Sequence, residues 1–368
     1  KHAAAHPTAS LKHRLARALF LYALCNGRLH QGQVVVDASS GSTAISEAWF
    51  ARLLRLPFIA VMPACTSPRK VDAVRQLGGR CELVDDPADV HGRAQSLAAA
   101  GACHLDQFML AERATDWRGN NNIAESILVQ MQQQPHPEPA WIVCGAGTGG
   151  TSATIGRYLR YCGLRTQLCV AEPSGGAFAR GWTGGDRTAH ATRATLIEGI
   201  GRPRVEPGFL FEVVDDLVEI PDQQSIAAAW LLEALLGRRY GGSSGTNFAG
   251  CLRLAARMRD RGQRGSLVTL LCDRGDRYAD TLFDQDWLAA RGIDPRPQLA
   301  APDRVLHDQD RQQDRRPAHR IDRQRHHRHR QRPDARKAAF GEAGQDDGRN
   351  RAKNIKMALA HPDRIGRW

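Results

Sequence analysis

Lys12 is the residue whose type and position in this sequence most directly suggest covalent chemistry. It lies in the run Pro7–Arg14, at the start of a helical pattern, and Ser10 is placed to cap that helix. Four apolar residues share one face of the pattern: Leu11, Leu15, Leu19 and Tyr22. The positive end of a helix dipole favours a neutral amine, which is a nucleophile and a Schiff-base former. A solvated lysine at a helix start is the alternative.

Three loops rich in Gly, Ser and Thr each precede a predicted helix. They are Ala38–Thr43, Gly145–Thr151 and Gly241–Thr246. Backbone N–H groups that converge at a helix start bind anions, so we expect the first loop to bind a carboxylate and the second a phosphate. Each loop taken alone also fits a tight turn into a helix.

The second loop also has the spacing G-x-G-x-x-G, formed by Gly145, Gly147 and Gly150. Glu172 follows 22 residues later, at the end of the next predicted strand. This pattern is typical of dinucleotide binding. An NAD-binding enzyme is therefore an alternative, although it leaves Lys12 and the other two loops without a role.

The elements that must position these residues are those of an α/β fold with mostly parallel sheets, because short apolar runs alternate with helical patterns. The predicted strands are Val34–Asp37, Phe58–Met62, Cys81–Val84, Trp141–Cys144, Gln167–Ala171 and Leu267–Cys272. The predicted helices, besides the one at Lys12, are Thr43–Leu54, Pro68–Leu77, Ile123–Gln132, Ser152–Tyr161, Ile226–Leu236 and Asn247–Arg259. Ligands of parallel sheets bind beyond the carboxyl ends of the strands, which places the site at the loops that follow them.

The composition indicates a folded body and a chemically different tail. The chain has 368 residues, of which 42% are hydrophobic, enough for one large or two medium domains. Residues 301–368 hold 18 Lys and Arg against 10 Asp and Glu, so +8 of the net charge of +12 lies there. The basic charge therefore gives no indication that the body binds nucleic acid.

Residues 299–368 are predicted to be a basic, low-complexity, disordered tail, because Ile321 is the only large aliphatic residue between positions 307 and 337. A nucleic-acid-binding arm is an alternative, which the absence of interleaved aromatic residues disfavours. The abrupt change in composition also fits translation past a shifted reading frame.

The nine cysteines form no C-x-x-C pair, and no histidines cluster at ligand spacing. Neither a metal site nor a disulfide framework is predicted. The amino terminus has no apolar run typical of a signal peptide, and no segment reaches the roughly 20 apolar residues of a membrane span. The sequence therefore predicts a cytoplasmic protein that does not bind membranes.

Taken together, these features resemble the fold-type II pyridoxal-phosphate enzymes of the cysteine synthase and cystathionine β-synthase family, over most of residues 1–290. The family motif N-P-T-G-S-x-K-D-R appears as residues 6–14, T-S-G-N-T-G as residues 39–44, and G-T-G-G-T is complete at Gly147–Thr151. In detail the chain is most similar to the bacterial L-cysteine desulfhydrase branch. The resemblance implies a tryptophan synthase β-like fold over residues 1–298, with two α/β subdomains, the smaller at roughly 35–125.

The resemblance also implies the roles of individual residues. Lys12 would bind pyridoxal phosphate covalently and act as the catalytic base. The other cofactor-binding residues would be Ser42, Gly147, Thr148, Gly149, Gly150, Thr151 and Ser243. The substrate-binding residues would be Ser39, Ser40, Gly41, Thr43, Gln107 and Gly199. Phe108, which follows Gln107, belongs to a pair that faces the substrate carboxylate in the family.

The implied activity is β-elimination on a β-substituted L-alanine, with L-cysteine converted to pyruvate, ammonia and sulfide. Cysteine synthase, which joins sulfide to O-acetylserine, is the nearest alternative, because both activities use the same lysine and loops. The resemblance further implies a homodimer with one cofactor per subunit.

Three departures from the family pattern favour a further alternative, an inactive fragment. Ser42 replaces asparagine, and Arg274 stands where the branch usually has serine near the pyridine ring, which would bring a bulky cation to the site. Lys12 is preceded by fewer residues than in the family, so we expect a chain that lacks its first elements.

Overall fold

The computed structural model describes residues 1–119 and 122–296, which form two parallel β-sheets flanked by helices. The predicted tail, residues 299–368, lies outside the described residues. Within the described ranges, no helix combines the length and the apolar character needed to cross a membrane.

The first sheet lies in the amino-terminal part of the chain. Its strands are β1 (Val35–Ala38), β2 (Phe58–Pro63), β3 (Arg80–Val84) and β4 (Cys103–His104). They are parallel, in the order β3-β2-β1-β4. The helices around them are α1 (Lys12–Cys25), α2 (Ser42–Leu53), α3 (Pro68–Arg75), α4 (Asp89–Ala99) and α5 (Gln107–Ala114).

The side chains of β1 alternate between two apolar clusters, so helices cover both faces of this strand. Val35 packs with Leu19 of α1 and Ala48 of α2. Val36 faces the other way, toward Val90 of α4. The loop after β1 is thereby held at the carboxyl edge of the sheet.

The second sheet follows in the chain. Its strands are β5 (Trp141–Cys144), β6 (Gln167–Pro173), β7 (Asp216–Ile220) and β8 (Leu267–Thr269), parallel and in the order β7-β6-β5-β8. The helices of this part are α6 (Ile123–Met131), α7 (Gly150–Tyr161), α8 (Ala177–Gly184), α9 (Asp222–Leu236), α10 (Gly242–Asp260) and α11 (Gln285–Ala289).

The predicted α/β fold with parallel sheets is confirmed, and the predicted strand Trp141–Cys144 has the observed bounds. The prediction missed β4, β7 and four helices: α4, α5, α8 and α11. It extended the last strand to Cys272, whereas β8 ends at Thr269.

The amino-terminal segment pairs with the chain just beyond β8. The Leu271 N–H donates to the Lys1 carbonyl over 2.9 Å, and the Leu11 N–H donates to the Cys272 carbonyl over 2.6 Å. The Arg274 N–H donates to the Ala9 carbonyl over 3.1 Å. These bonds fix the start of α1 against the carboxyl edge of the second sheet.

The start of α1 differs in two ways from the prediction. Leu11, already helical, precedes the first residue, so Ser10 is not the cap residue, although its hydroxyl accepts a bond from the Lys12 N–H over 3.2 Å. The buried residues of the helix are His13, Ala16, Leu19, Phe20 and Ala23. The apolar face is therefore rotated from the predicted one, so that His13 and Phe20 both contact Phe50 of α2.

Candidate active site

Lys12 is the first residue of α1 and is half-buried between the two sheets. Its pKa is lowered to about 8, chiefly by burial and next by the charge of Arg202. Cys272, Glu47 and Asp273 oppose this shift. Near neutral pH such an amine is neutral far more often than an ordinary lysine, whose pKa is about 10.4. The site therefore holds a nucleophilic amine near neutral pH.

The glycine loop before α7 lies beside this amine. A Cβ atom added to Gly147 would lie 3.9 Å from Lys12 Nζ and would overlap the Gly199 carbonyl oxygen. Gly149 has φ +82°, and a Cβ there would overlap the Gly208 carbonyl. Only glycine fits these two positions, and the cradle they form opens onto the first turn of α7.

The first turn of α7 begins at Gly150, so Gly150 and Thr151 belong to the helix rather than to the loop. Thr148 precedes it and is buried. The N-cap residue, Gly149, has no side chain, and the Gly150 N–H donates to the Thr148 hydroxyl over 3.5 Å. The N–H groups of a first turn lack helical partners and carry the positive end of the dipole, so the cradle fits a phosphate group.

The loop after β1 forms the facing wall. The Thr43 hydroxyl donates to Gln107 Oε1 over 2.8 Å, and Gln107 Nε2 donates to the Ala38 carbonyl over 3.3 Å. Ser39 Oγ accepts a bond from the Ala44 N–H over 3.2 Å. The structure thus brings Gln107 of α5 to the start of α2. Ser40 and Gly41, both half-buried, lie between these groups in the chain.

Ser42 is the first residue of α2 and is bound by Arg277, which sequence reasoning missed. Arg277 Nη1 donates to Ser42 Oγ over 2.6 Å, and Nη2 donates to the Thr8 carbonyl over 2.5 Å. This guanidinium ties the lysine segment to α2. Because it uses only the oxygen of Ser42, the hydroxyl hydrogen can still be donated to a ligand.

The third loop differs from its prediction, because α10 begins at Gly242 rather than at Asn247. Ser243 is therefore a buried residue of the first turn, and its side chain lies near the Cys272 thiol. The Cys272 N–H donates to Ser244 Oγ over 2.8 Å. Since the Cys272 carbonyl accepts a bond from the Leu11 N–H, one residue before Lys12, the turn containing Ser243 lies next to the start of α1.

Gly199 completes the cluster of sequence-predicted residues. Its carbonyl faces Gly147, and φ at Gly199 is +86°, a conformation that favours glycine. The preceding residue, Glu198, pairs with Lys70 of α3 at 2.8 Å between Nζ and Oε2. The space between the two sheets that contains Lys12 is called the cleft. This ion pair joins the Gly199 segment to α3 at the rim of the cleft.

Comparison with known proteins agrees with this geometry. A family model described as pyridoxal-phosphate dependent enzyme matches residues 1–273. The chain belongs to this family. The resemblance predicted from the sequence is confirmed, and the cradle at Gly147 and Gly149 fits the phosphate of the cofactor pyridoxal phosphate.

Relatives within the family carry several activities. The chain is 58% identical over 297 residues to L-cysteine desulfhydrase Cds1 of Mycobacterium tuberculosis, covering 80% of this chain and 81% of that protein. It is 27% identical to cysteine synthase 1 of Neurospora crassa, covering 78% of this chain and 77% of that one. A crystal structure of O-ureido-L-serine synthase matches with a TM-score of 0.65 and 27% identity, covering 77% of this chain and 88% of that one.

Arg274 does not lie where the family comparison placed it. Its side chain is exposed and acts electrostatically on His2 and Tyr240, whereas the neighbouring Asp273 is buried. Successive side chains of an extended segment point to opposite sides, so burying Asp273 turns Arg274 toward solvent. The expectation that Arg274 brings a bulky cation to the pyridine ring was wrong.

Glu172 also has a different role from the one that the dinucleotide pattern suggested. It is buried, and its carboxylate accepts bonds from the Phe178 N–H over 3.0 Å and the Ala179 N–H over 2.5 Å. These donors belong to the first turn of α8. The side chain is used to cap a helix and cannot bind a ribose, so the NAD-binding alternative was wrong.

Ala9 has φ +53°, in the left-handed region, at a position where the family motif has glycine. We expect Ala9→Gly to raise the free energy of unfolding by about 1 kcal/mol, because glycine adopts this conformation without strain. Urea denaturation measures the change. The control is Ala98→Gly in α4, expected to lose about 1 kcal/mol. Equal losses for both variants would contradict the strain at Ala9.

The lowered pKa of Lys12 predicts how cofactor capture depends on pH. Only the neutral amine attacks the aldehyde of pyridoxal phosphate, so the rate of covalent capture by cofactor-free protein should rise with pH and level off above about 8. Stopped-flow absorbance measures this rate. A rate that keeps rising up to pH 10 would show that burial does not lower the pKa of this amine.

Proposed function

We propose that this chain catalyses the β-elimination of L-cysteine to pyruvate, ammonia and sulfide. The observation that carries the proposal is the nucleophilic amine of Lys12 next to the glycine cradle at Gly147. The 58% identity to a protein named L-cysteine desulfhydrase supports the choice of substrate.

Each end of the cofactor has residues that could hold it. The first turn of α7, with Gly147, Thr148, Gly149, Gly150 and Thr151 before and within it, would bind the phosphate. The Ser243 hydroxyl would face the pyridine nitrogen, and the Ser42 hydroxyl would donate to the ring oxygen. Lys12 would hold the aldehyde carbon. When bound, the cofactor withdraws electron density from the substrate Cα.

The wall after β1 would orient the substrate. Ser39, Ser40, Gly41 and Thr43 lie at the start of α2, where N–H groups and hydroxyls favour a carboxylate. Gln107 is already hydrogen-bonded to Thr43, so its amide is fixed at the same place. Gly199 would close the cavity over the substrate.

Once the substrate has displaced it, the Lys12 amine would act as the general base that takes the Cα proton. A base functions best when its pKa lies near the working pH, and the pKa of this amine is lowered to about 8. The proton taken up by Lys12 Nζ would then be released to water, which restores the neutral amine.

The test is a pair of assays on purified, cofactor-loaded protein. With L-cysteine alone, the proposal expects pyruvate and sulfide in equal amounts. With O-acetylserine and sulfide, it expects cysteine to form more slowly than cysteine is consumed. Retained cofactor without pyruvate from L-cysteine would reject the proposal.

Cysteine synthase is the second candidate function, favoured by relatives with that name at 27% identity. It would be supported by cysteine formation that exceeds cysteine breakdown in the same assays.

A homodimer remains part of the proposal, and light scattering of the loaded protein tests it. The cytoplasmic location stays a prediction.

A further inference from the structure

An arginine that neither motif nor spacing singled out lies in the cleft. Arg202 follows the glycine pair Gly199 and Gly201, and its guanidinium carbon lies 4.3 Å from the centre of the Phe108 ring. Phe108 follows Gln107, which is bonded to the loop after β1. The guanidinium therefore reaches from the segment between α8 and β7 to α5, one residue from Gln107 of the proposed substrate wall.

A fully buried carboxylate holds this guanidinium in place. Arg202 Nε donates to Glu206 Oε1 over 2.9 Å, and Nη2 lies 2.8 Å from the same oxygen. Arg204 also pairs with Glu206, at 3.5 Å. Two guanidinium groups thus share one carboxylate, so this cluster of three residues has a net charge of +1.

The second amino group of Arg202 is available to a ligand. In residues 1–119 and 122–296, Nη1 has no hydrogen-bond partner, whereas Nε and Nη2 are both used on Glu206. The side chain retains 26% of its exposed surface. Arg202 follows the segment whose Gly199 carbonyl lies against Gly147, beside Lys12 Nζ, and its charge lowers the pKa of Lys12, so the guanidinium lies near the amine and its cavity. An anion that develops in this cavity would meet the free N–H groups.

We propose that Arg202 binds the β-substituent of the substrate through Nη1 and stabilises it as it leaves as an anion, which favours substrates whose leaving group needs this help, as the thiol of L-cysteine does. This inference rests on the proposed β-elimination and adds a residue that determines its specificity. A charge-assisted hydrogen bond to a departing sulfur is strongest after the bond to carbon has broken, so it favours elimination.

The step balances without an oxidant or a reductant. The Cα–H bond breaks and its proton goes to Lys12 Nζ. Its electron pair forms the Cα–Cβ double bond, while the Cβ–S bond breaks and leaves its pair on sulfur. Hydrosulfide, HS⁻, departs beside Arg202, and water later converts the remaining three carbons to pyruvate and ammonium.

The experiment compares Arg202→Met with Arg204→Met in the cofactor-loaded full chain. Both variants remove one guanidinium from Glu206, but the Arg202 guanidinium lies on the Phe108 ring in the cleft, whereas the Arg204 side chain is 55% exposed. Each is assayed with L-cysteine and with β-chloro-L-alanine, whose chloride leaves without help. For Arg202→Met, kcat/KM should fall about 100-fold with L-cysteine and less than about 3-fold with β-chloro-L-alanine. Arg204→Met should change both values less than about 3-fold.

Equal losses on the two substrates in Arg202→Met would overturn the inference while leaving the proposed function standing. A wild-type protein that eliminates chloride but not sulfide would overturn the proposed function instead. If Arg202→Met fails to retain the cofactor, Arg202→Lys decides. A loss on L-cysteine at least fivefold greater than on β-chloro-L-alanine supports the inference, and equal losses overturn it.

Discussion

Replacing Lys12 by alanine should abolish covalent cofactor binding and lower the rate of pyruvate formation from L-cysteine by at least about 10³-fold. The loss has two causes, because in the proposed mechanism the same amine would hold the cofactor and take the Cα proton. Borohydride reduction of the wild-type protein should fix the cofactor to the peptide that contains Lys12. Mass spectrometry of the digested protein measures this.

Lys70→Ala is the matched control for that prediction. Lys70 also lies at the cleft, but its amine is paired with Glu198 at the rim. We expect the variant to retain the reducible cofactor on Lys12 and most of its turnover. If reduction labelled Lys70 in the wild-type protein, or if Lys12→Ala kept turnover within tenfold of wild type, the assignment of the nucleophile would be rejected.

Gly147→Ala should weaken the affinity for pyridoxal phosphate about 10- to 100-fold, although it adds a single methyl group. The new Cβ would overlap the Gly199 carbonyl and approach Lys12 Nζ, so the glycine loop and the Gly199 segment must separate. Overpacking of this kind costs about 1–3 kcal/mol, which accounts for the range. Fluorescence titration of cofactor-free protein measures the affinity.

Gly92→Ala provides the control for this glycine substitution. Gly92 is exposed in α4, and nothing lies within 4 Å of a Cβ added there. We expect unchanged cofactor affinity and about 0.5–1 kcal/mol more stability, because alanine favours the helix. Unchanged affinity in Gly147→Ala as well would show that the loop can move without cost.

The sequence predicted the core of the fold wherever a segment was apolar along its whole length. Trp141–Cys144 is such a segment, and helices cover both of its faces. β7 escaped prediction because it carries Asp216 and Glu219, which are balanced by Arg257 and by the Gly175 N–H. β4 escaped because it contains two residues only.

The sequence could predict the parts of the candidate site that are carried by local motifs, Lys12 and the glycine loop, and the structure places them side by side. Arg202 and Arg277 were not, because their roles arise from contacts between distant segments. Arg277 meets residues 8 and 42 across more than two hundred positions of sequence. The available signal for Arg202 was its position directly after Gly201, the second glycine of the pair.

The pairing of the amino-terminal segment with the chain beyond β8 has a consequence for synthesis. The Leu11 N–H bonds to the Cys272 carbonyl, roughly 260 residues later. At about 5–20 residues per second, a ribosome needs on the order of 10–50 s to supply that partner. During this interval Lys12 is exposed on the nascent chain without its pocket. We therefore expect capture of the cofactor only after both halves of the cleft have been synthesised.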